Sequence, residues 1–356
     1  MAGQPSGVPG ESRCTRRHRA LVRVLLLVAL GALLTSAFFV APDARHDVTL
    51  GVTFSPRYAR SLGFDPESLY AEVLDDLGVS HVRLPVYWDE VEVAPGEFDF
   101  SALDSFLETA RRRGVQVILV VGYKQPRWPE CYPPPWAADL PADQLRTRIL
   151  ELVAAEVTHA RTYPNVIMWQ VENEPFRLFG ECRDYEVLTP EFVAEEMRII
   201  RGLDSRPLLV TDTGELSTWF TAMRLSDHYL GSTLYRVLWF PSIGLWRYPV
   251  PVWLYIAKDR LVRTLLQKPG ETIVIELQAE AWFTSISVAE APIEMQKQHF
   301  PASMVLANVE YARRTQFASA YLWGVEWWYW MKMQGHSEYV EAARQAFGRS
   351  ARYHGA

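Results

Sequence analysis

The chain has 356 residues, 49% apolar and 22% charged, a globular balance that excludes a disordered or collagen-like protein and leaves room for one large barrel or two ordinary domains. Its net charge is −6; residues 1–23 hold five Arg against one Glu, so the remainder carries −10, which makes nucleic acid a poor partner. The three cysteines show no metal-type Cys/His spacing, and the thirteen tryptophans recur among Pro and Gly, which suits a cleft gripping flat ligands.

The first element is a basic tail, residues 1–20, followed by an apolar segment at 21–41. Val24 to Val40 holds no charge, seventeen residues in all. That is the lower limit for spanning a hydrocarbon core and longer than the apolar part of a signal peptide. Arginines precede the run and none follows immediately, which predicts a cytoplasmic N-terminus and an exported C-terminal part. Thr35-Ser36-Ala37 also offers a small-residue cleavage site. The expectation is therefore a transmembrane signal anchor with the rest of the chain outside the cytoplasm, or a secreted protein if the signal is cleaved. Cys14 would stay reduced, whereas Cys131 and Cys182 lie in the exported part, where pairing is permitted.

From residue 47 onward, short apolar runs alternate with amphipathic stretches without a linker. Strands are expected at 48–54, 79–85, 115–122, 165–172, 207–212, 232–238, 272–277 and 318–324. Most are continuously apolar, as parallel strands covered on both faces must be. Asp65-Pro66 opens the first helix, with Leu69, Val73 and Leu77 on one face and Gly78 closing it. The second starts at Ser101 and stops at Gly114, and the third runs from about Pro141. Further helices are expected near 190–204, 215–226, 254–268, 292–315 and 337–350. Eight βα units in one uninterrupted stretch predict a (β/α)8 TIM barrel over 47–350, preceded by the transmembrane or signal segment. A doubly wound sheet is the alternative, but no glycine-rich phosphate turn follows the first strand.

In such a barrel the chemistry sits where strands end. "NVIMWQVENEP" ends the fourth strand near Glu172, so Asn173 and Glu174 emerge at the mouth while Pro175 prevents simple continuation. "ETIVIELQAEAW" places Glu276 at the end of the seventh, with Glu280 as a second carboxylate nearby. The fourth and seventh strands face each other roughly across the barrel, so two carboxyl groups can flank one bond. Glycoside hydrolysis uses such a pair, one group protonating the leaving oxygen and the other attacking the anomeric carbon.

These motifs resemble the acid/base and nucleophile motifs of the large clan of retaining glycoside hydrolases with barrel folds, which includes cellulase-like, xylanase-like and β-galactosidase-like families. "HVRLPVYWDEVEVAPGEFDFSALD" is similar to the clan's second-strand region, and the Tyr of "STLYR" and the Trp of "YLWG" fall where the clan places a sixth-strand Tyr and an eighth-strand Trp. The likeness covers about 47–335. It implies that Glu174 is the general acid/base and Glu276 the nucleophile. Arg83 and Tyr235 would contact Glu276, Asn173 would bind the substrate's 2-hydroxyl, and Trp323 would floor the sugar site. Glu172 is the alternative to Glu174, one pleat repeat deeper, and Glu280 the alternative to Glu276. No metal or organic cofactor is implied. The substrate implied is an oligosaccharide, polysaccharide or glycoconjugate, with membrane contact through the N-terminal segment.

Trp88, Trp128 and Trp282 follow the second, third and seventh strands and are candidates for stacking on sugar faces, as are Trp136 and Trp219. Lys124 and Glu130 are within reach of polar sugar positions or form a solvated loop. Cys131 and Cys182 follow neighbouring strands and form a candidate disulfide. The apolar stretch 237–257 contains Pro241, Pro249, Pro251 and Arg247, which argue against a second transmembrane helix. It reads as a lid over the mouth, or as a surface for a membrane or an apolar aglycone. Two further readings keep the same cleft: a non-catalytic carbohydrate-binding barrel and a transglycosylase.

Overall fold

The computed structural model describes residues 22–31, 48–176, 182, 187–240, 242, 244–247, 249–283 and 286–354. Residues 22–31 form a helix with every side chain exposed. The rest of the expected 21–41 segment lies outside the described residues, as does the tail at 1–20. Among the described residues no helix is long and apolar enough to cross a membrane.

From residue 48 the chain builds a ring of parallel strands: β1 Thr49–Thr53, β2 His81–Pro85, β3 Gln116–Val121, β4 Val166–Val171, β5 in two pieces (Leu208–Leu209 and Thr211–Asp212), β6 Tyr229–Leu234, β7 Glu271–Gln278 and β8 Ser319–Trp323. Leu208–Leu209 pairs with β4 and Thr211–Asp212 pairs with β6. Because β8 pairs with β1, the ring closes through β5. A closed ring has no free edge, so every strand of this apolar sheet is protected from pairing with another chain.

Among the described residues, the helices that follow the strands in turn are α1 Pro66–Leu77, α2 Ser101–Arg112, α3 Ala142–Ala160, α4 Pro190–Leu203, α5 Phe220–Leu225, α6 Val252–Leu266, α7 Ser303–Arg314 and α8 Glu338–His354. The start of α1 follows its sequence signals: the Asp65 side chain accepts from Ser68 N at 2.9 Å, and Gly78 takes the left-handed conformation that ends the helix. At α2 the accepting side chain is Asp99, which takes Ser101 N at 2.8 Å, so Ser101 lies inside the helix rather than capping it. Inside the ring, Ile118, Met168, Leu209, Ile273, Ile275 and Tyr321 form one apolar cluster. Burying each such side chain stabilises the fold by about 1.5–3 kcal/mol. Gly51 is required beside it, since a Cβ there would stand 2.7 Å from the Tyr321 ring.

Three expectations need correction. The sixth strand is Tyr229–Leu234 rather than 232–238, and Val237–Phe240 pairs antiparallel with Gly244–Arg247 as a hairpin. A short apolar run reads the same in either role, which is why pattern alone misplaced it. The helix expected at 292–315 is two, Ile293–His299 and Ser303–Arg314, broken where Pro301 cannot donate a helical hydrogen bond. The fifth helix is shorter than 215–226, and an unexpected helix, Val325–Met333, follows β8 directly.

Candidate active site

β7 departs from regular pairing between Val274 and Glu276, where the register against β6 shifts by one. Ile273 and Ile275 both face the interior, so strict alternation would send Glu276 outward. The bulge re-aims it to the mouth. There both its oxygens accept hydrogen bonds, Oε1 from Arg83 Nη1 at 2.7 Å and Oε2 from the Tyr235 hydroxyl at 3.0 Å. Arg83 has no exposed surface, and its remaining donors tie β2 to β4: Nε donates to Gln170 Oε1 at 2.8 Å and Nη2 to Asn173 Oδ1 at 2.7 Å. Because Asn173 Oδ1 is occupied as an acceptor, its amide nitrogen is the group left to donate. Glu280 is not part of this arrangement; it is buried and paired with Arg127.

The end of β4 is bent by two residues in the left-handed region, Glu172 at φ 65° and Glu174 at φ 45°. Neither is glycine, so the turn stores strain of the kind that collects at functional sites. Neighbouring strands hold it in place. Glu174 N donates to Thr211 Oγ1 at 2.7 Å, Lys124 Nζ donates to Glu174 O at 3.0 Å, and Asn173 N donates to Lys124 O at 2.7 Å. Glu174 is 7% exposed as a residue, and its buried Oε1 has no hydrogen-bond partner among the described residues. Burial pushes its pKa well above the ordinary carboxylate range, the nearby charges of Glu276 and Glu130 push it further, and Lys124 opposes them. Burial and the neighbouring negative charges both favour the protonated form of this carboxyl.

Glu172 points elsewhere. Its carboxyl accepts from Tyr123 N at 2.7 Å and from Lys124 N, and packs against Glu196 of α4 behind the strand. Glu156 of α3 joins them by accepting from Gly122 N at 3.1 Å. A Cβ at Gly122 would lie 2.4 Å from Glu172 Oε1, and φ there is 102°, so only glycine fits. Glu172 thus braces the loop that carries Lys124 and is absent from the mouth.

The aromatics divide. Trp128 and Trp282 are 66% and 40% exposed, with the Trp282 ring centred 6.0 Å from that of Tyr235. Trp323 is largely buried, with the Arg127 guanidinium 4.0 Å from its ring. Trp88 requires correction as a sugar-stacking candidate: it has no exposed surface, its Nε1 donates to Glu92 Oε2 at 2.6 Å, and its ring packs edge-on against Tyr123 and Trp136. Trp219 is likewise fully buried, against Tyr255 and Phe317. Cys131 and Cys182 are joined by a disulfide that ties the loops after β3 and β4. Lys124 ion-pairs with Glu130 at 3.0 Å. Sequence reasoning missed Gln170, Thr211 and Arg127. Gln170 had a readable signal, the polar residue two before Glu172 in an apolar strand; Arg127 had none.

No protein-family model matches the chain. Among solved structures it is similar to an endo-β-1,4-xylanase from Gloeophyllum trabeum, at 16% identity and TM-score 0.54, over 86% of this chain and 97% of that one. It is also similar to the cold-adapted β-galactosidase from Rahnella sp. R3, at 12% identity and TM-score 0.55, over 87% and 57% of the two chains. A third is the exo-β-1,4-mannosidase from Opitutaceae bacterium strain TAV5, at 19% identity and TM-score 0.50, over 85% and 60%. The chain shares the barrel fold of these structures. At these identities the likeness is one of fold. The chain spans only 50% of the Bacillus circulans β-galactosidase and 60% of the mannosidase, so those proteins carry parts with no counterpart here.

Proposed function

We propose that the protein is a glycoside hydrolase that cleaves O-glycosidic bonds with retention of configuration. The observation carrying this reading is the contrast between two carboxyl groups that sense each other's charge: Glu276, held as an acceptor by Arg83 and Tyr235, and Glu174, buried with one oxygen unpartnered and its pKa raised. Paired carboxyls whose environments differ in this way divide into acid and nucleophile.

In the first step Glu276 attacks the anomeric carbon, the bond to the leaving oxygen breaks, and Glu174 gives that oxygen its proton. A glycosyl ester of Glu276 results. Its negative charge is now gone, so Glu174, ionised, takes a proton from water as the water attacks the same carbon and releases Glu276. Asn173, oriented by Arg83, donates its amide to the sugar's 2-hydroxyl. Trp128 and Trp282 offer exposed ring faces to the outer part of the substrate, an oligosaccharide, polysaccharide or glycoconjugate. The N-terminal segment would hold the barrel at the outer face of a membrane, or release it if cleaved. The basic flank, the uncharged run and the exposed apolar side chains of residues 22–31 support that localisation.

Hydrolysis of a panel of aryl glycosides by the protein, by Glu174→Gln and by Glu276→Gln tests the reading. Each variant is expected to lose about a hundredfold to ten-thousandfold in kcat/KM. For Glu174→Gln the loss should shrink as the aryl leaving group becomes more acidic, because such a group needs no proton. Undiminished activity of Glu276→Gln, or of Glu174→Gln on the least acidic leaving groups, would refute the assignment.

A further inference from the structure

Beyond the carboxyl pair, one sector of the barrel mouth is filled by a side-chain network that a hydrolase of this mechanism does not require. It centres on Arg127, in the loop after β3. Positive φ angles at Arg127 (86°) and Glu130 (74°) fold this loop sharply, and the Tyr132 hydroxyl donates to the carbonyls of Arg127 and Trp128, both at 2.9 Å. The Arg127 guanidinium extends from the β3 side to elements that follow β1, β7 and β8. It stacks 3.8 Å from the Tyr58 ring and 4.0 Å from the Trp323 ring, and it pairs with Glu280 and, at 3.2 Å, with Glu326. Glu326 in turn accepts from Ser55 N. Ser55 Oγ bonds the Tyr87 hydroxyl at 2.7 Å, and that hydroxyl donates to Pro126 O at 3.3 Å, which returns the network to the β3 loop. Glu280, Glu326, Ser55 and Tyr87 are all at most 2% exposed.

The chemistry gives this sector a meaning. A proton donor must lie beside the leaving oxygen, so the leaving group departs past Glu174 at the end of β4. Any sugar attached to the other side of the cleaved residue must then run the opposite way, over β8, β1 and β2, since β8 faces β4 across an eight-stranded ring. That is the ground occupied by Arg127, Tyr58 and their partners. The Arg127 guanidinium is already engaged by two carboxylates, so it serves as a wall rather than an open receptor for an acidic sugar.

We propose that Arg127 and Tyr58 close the cleft one sugar beyond the cleaved bond, so that the enzyme removes single residues from the non-reducing end of its substrate. The proposal rests on the glycosidase reading and assigns its mode of attack.

The test is covalent trapping, read by mass spectrometry of the Glu276 peptide. The full-length protein is incubated with activated 2-deoxy-2-fluoro donors of gluco, galacto, manno and xylo configuration, each supplied as a single sugar and as a linked disaccharide. The expected result is a label of one sugar unit, formed about a hundredfold faster than any two-sugar label. Arg127→Ala, and separately Tyr58→Ala, which leaves the buried charges paired, should raise the rate of two-sugar labelling relative to one-sugar labelling. A two-sugar label forming as fast as the one-sugar label on the unaltered protein would overturn the wall while leaving the glycosidase reading intact. Absence of any label from every donor would overturn the glycosidase reading, and the wall with it.

Discussion

Glu130 shows how finely the site's protonation depends on single side chains. Its carboxylate, paired with Lys124, is one of the negative charges that raise Glu174. Glu130→Gln removes that charge, which favours ionised Glu174. Since the acid works only when protonated, activity is lost as pH rises through its pKa. The alkaline limb of kcat/KM should therefore move to lower pH in Glu130→Gln, by roughly one unit. A pH profile with an unmoved limb would show that another group titrates there. At this scale the sequence was informative where chemistry dictates the residue. Asn173, Glu276, Arg83 and Tyr235 meet in one hydrogen-bonded array, and Glu174 follows Asn173 directly at the end of β4. It misled where only packing decides: Trp88 occupies a rim position in the sequence, yet the short helix Trp88–Val91 turns its ring into the core.

Elements carry information that residue patterns do not. The strand position of Glu276 was readable, but its orientation depends on the β7 bulge, which no turn residue announces. The hairpin after β6 was hidden for a related reason, an apolar run being equally fit for a barrel strand or a rim. Glu196 of α4 supplies a test at this level. It is fully buried against Glu172, no described residue donates to its carboxyl, and burial together with the Glu172 charge raises its pKa well above the usual range. The fold therefore binds that proton more tightly than the unfolded chain does. The resulting stability is complete below the ordinary carboxylate range and is lost as pH rises through the raised pKa. Glu196→Gln has no charge to develop. Its stability relative to the unaltered protein, measured by urea unfolding, should rise from near zero in acid to about 1–3 kcal/mol in alkali. A difference that stays constant with pH would contradict this account of the cluster.

At the scale of the whole molecule, the barrel was legible because eight apolar strands alternate with capped helices, and each such unit can be satisfied by only a few topologies. The rim was not, because Arg127 finds Tyr58, Glu280 and Glu326 through folds of the chain that bring positions 58 to 326 together. In the proposed mechanism the ring holds β4 and β7 so that Glu174 and Glu276 address one bond from different sides. The most direct test of that claim is the anomeric configuration of the first sugar released from an aryl β-glycoside, followed by proton NMR before mutarotation. Double displacement through Glu276 predicts that the β-anomer appears first and the α-anomer grows in later. Initial release of the α-anomer would mean a single displacement by water and would contradict the assignment of Glu276 as nucleophile.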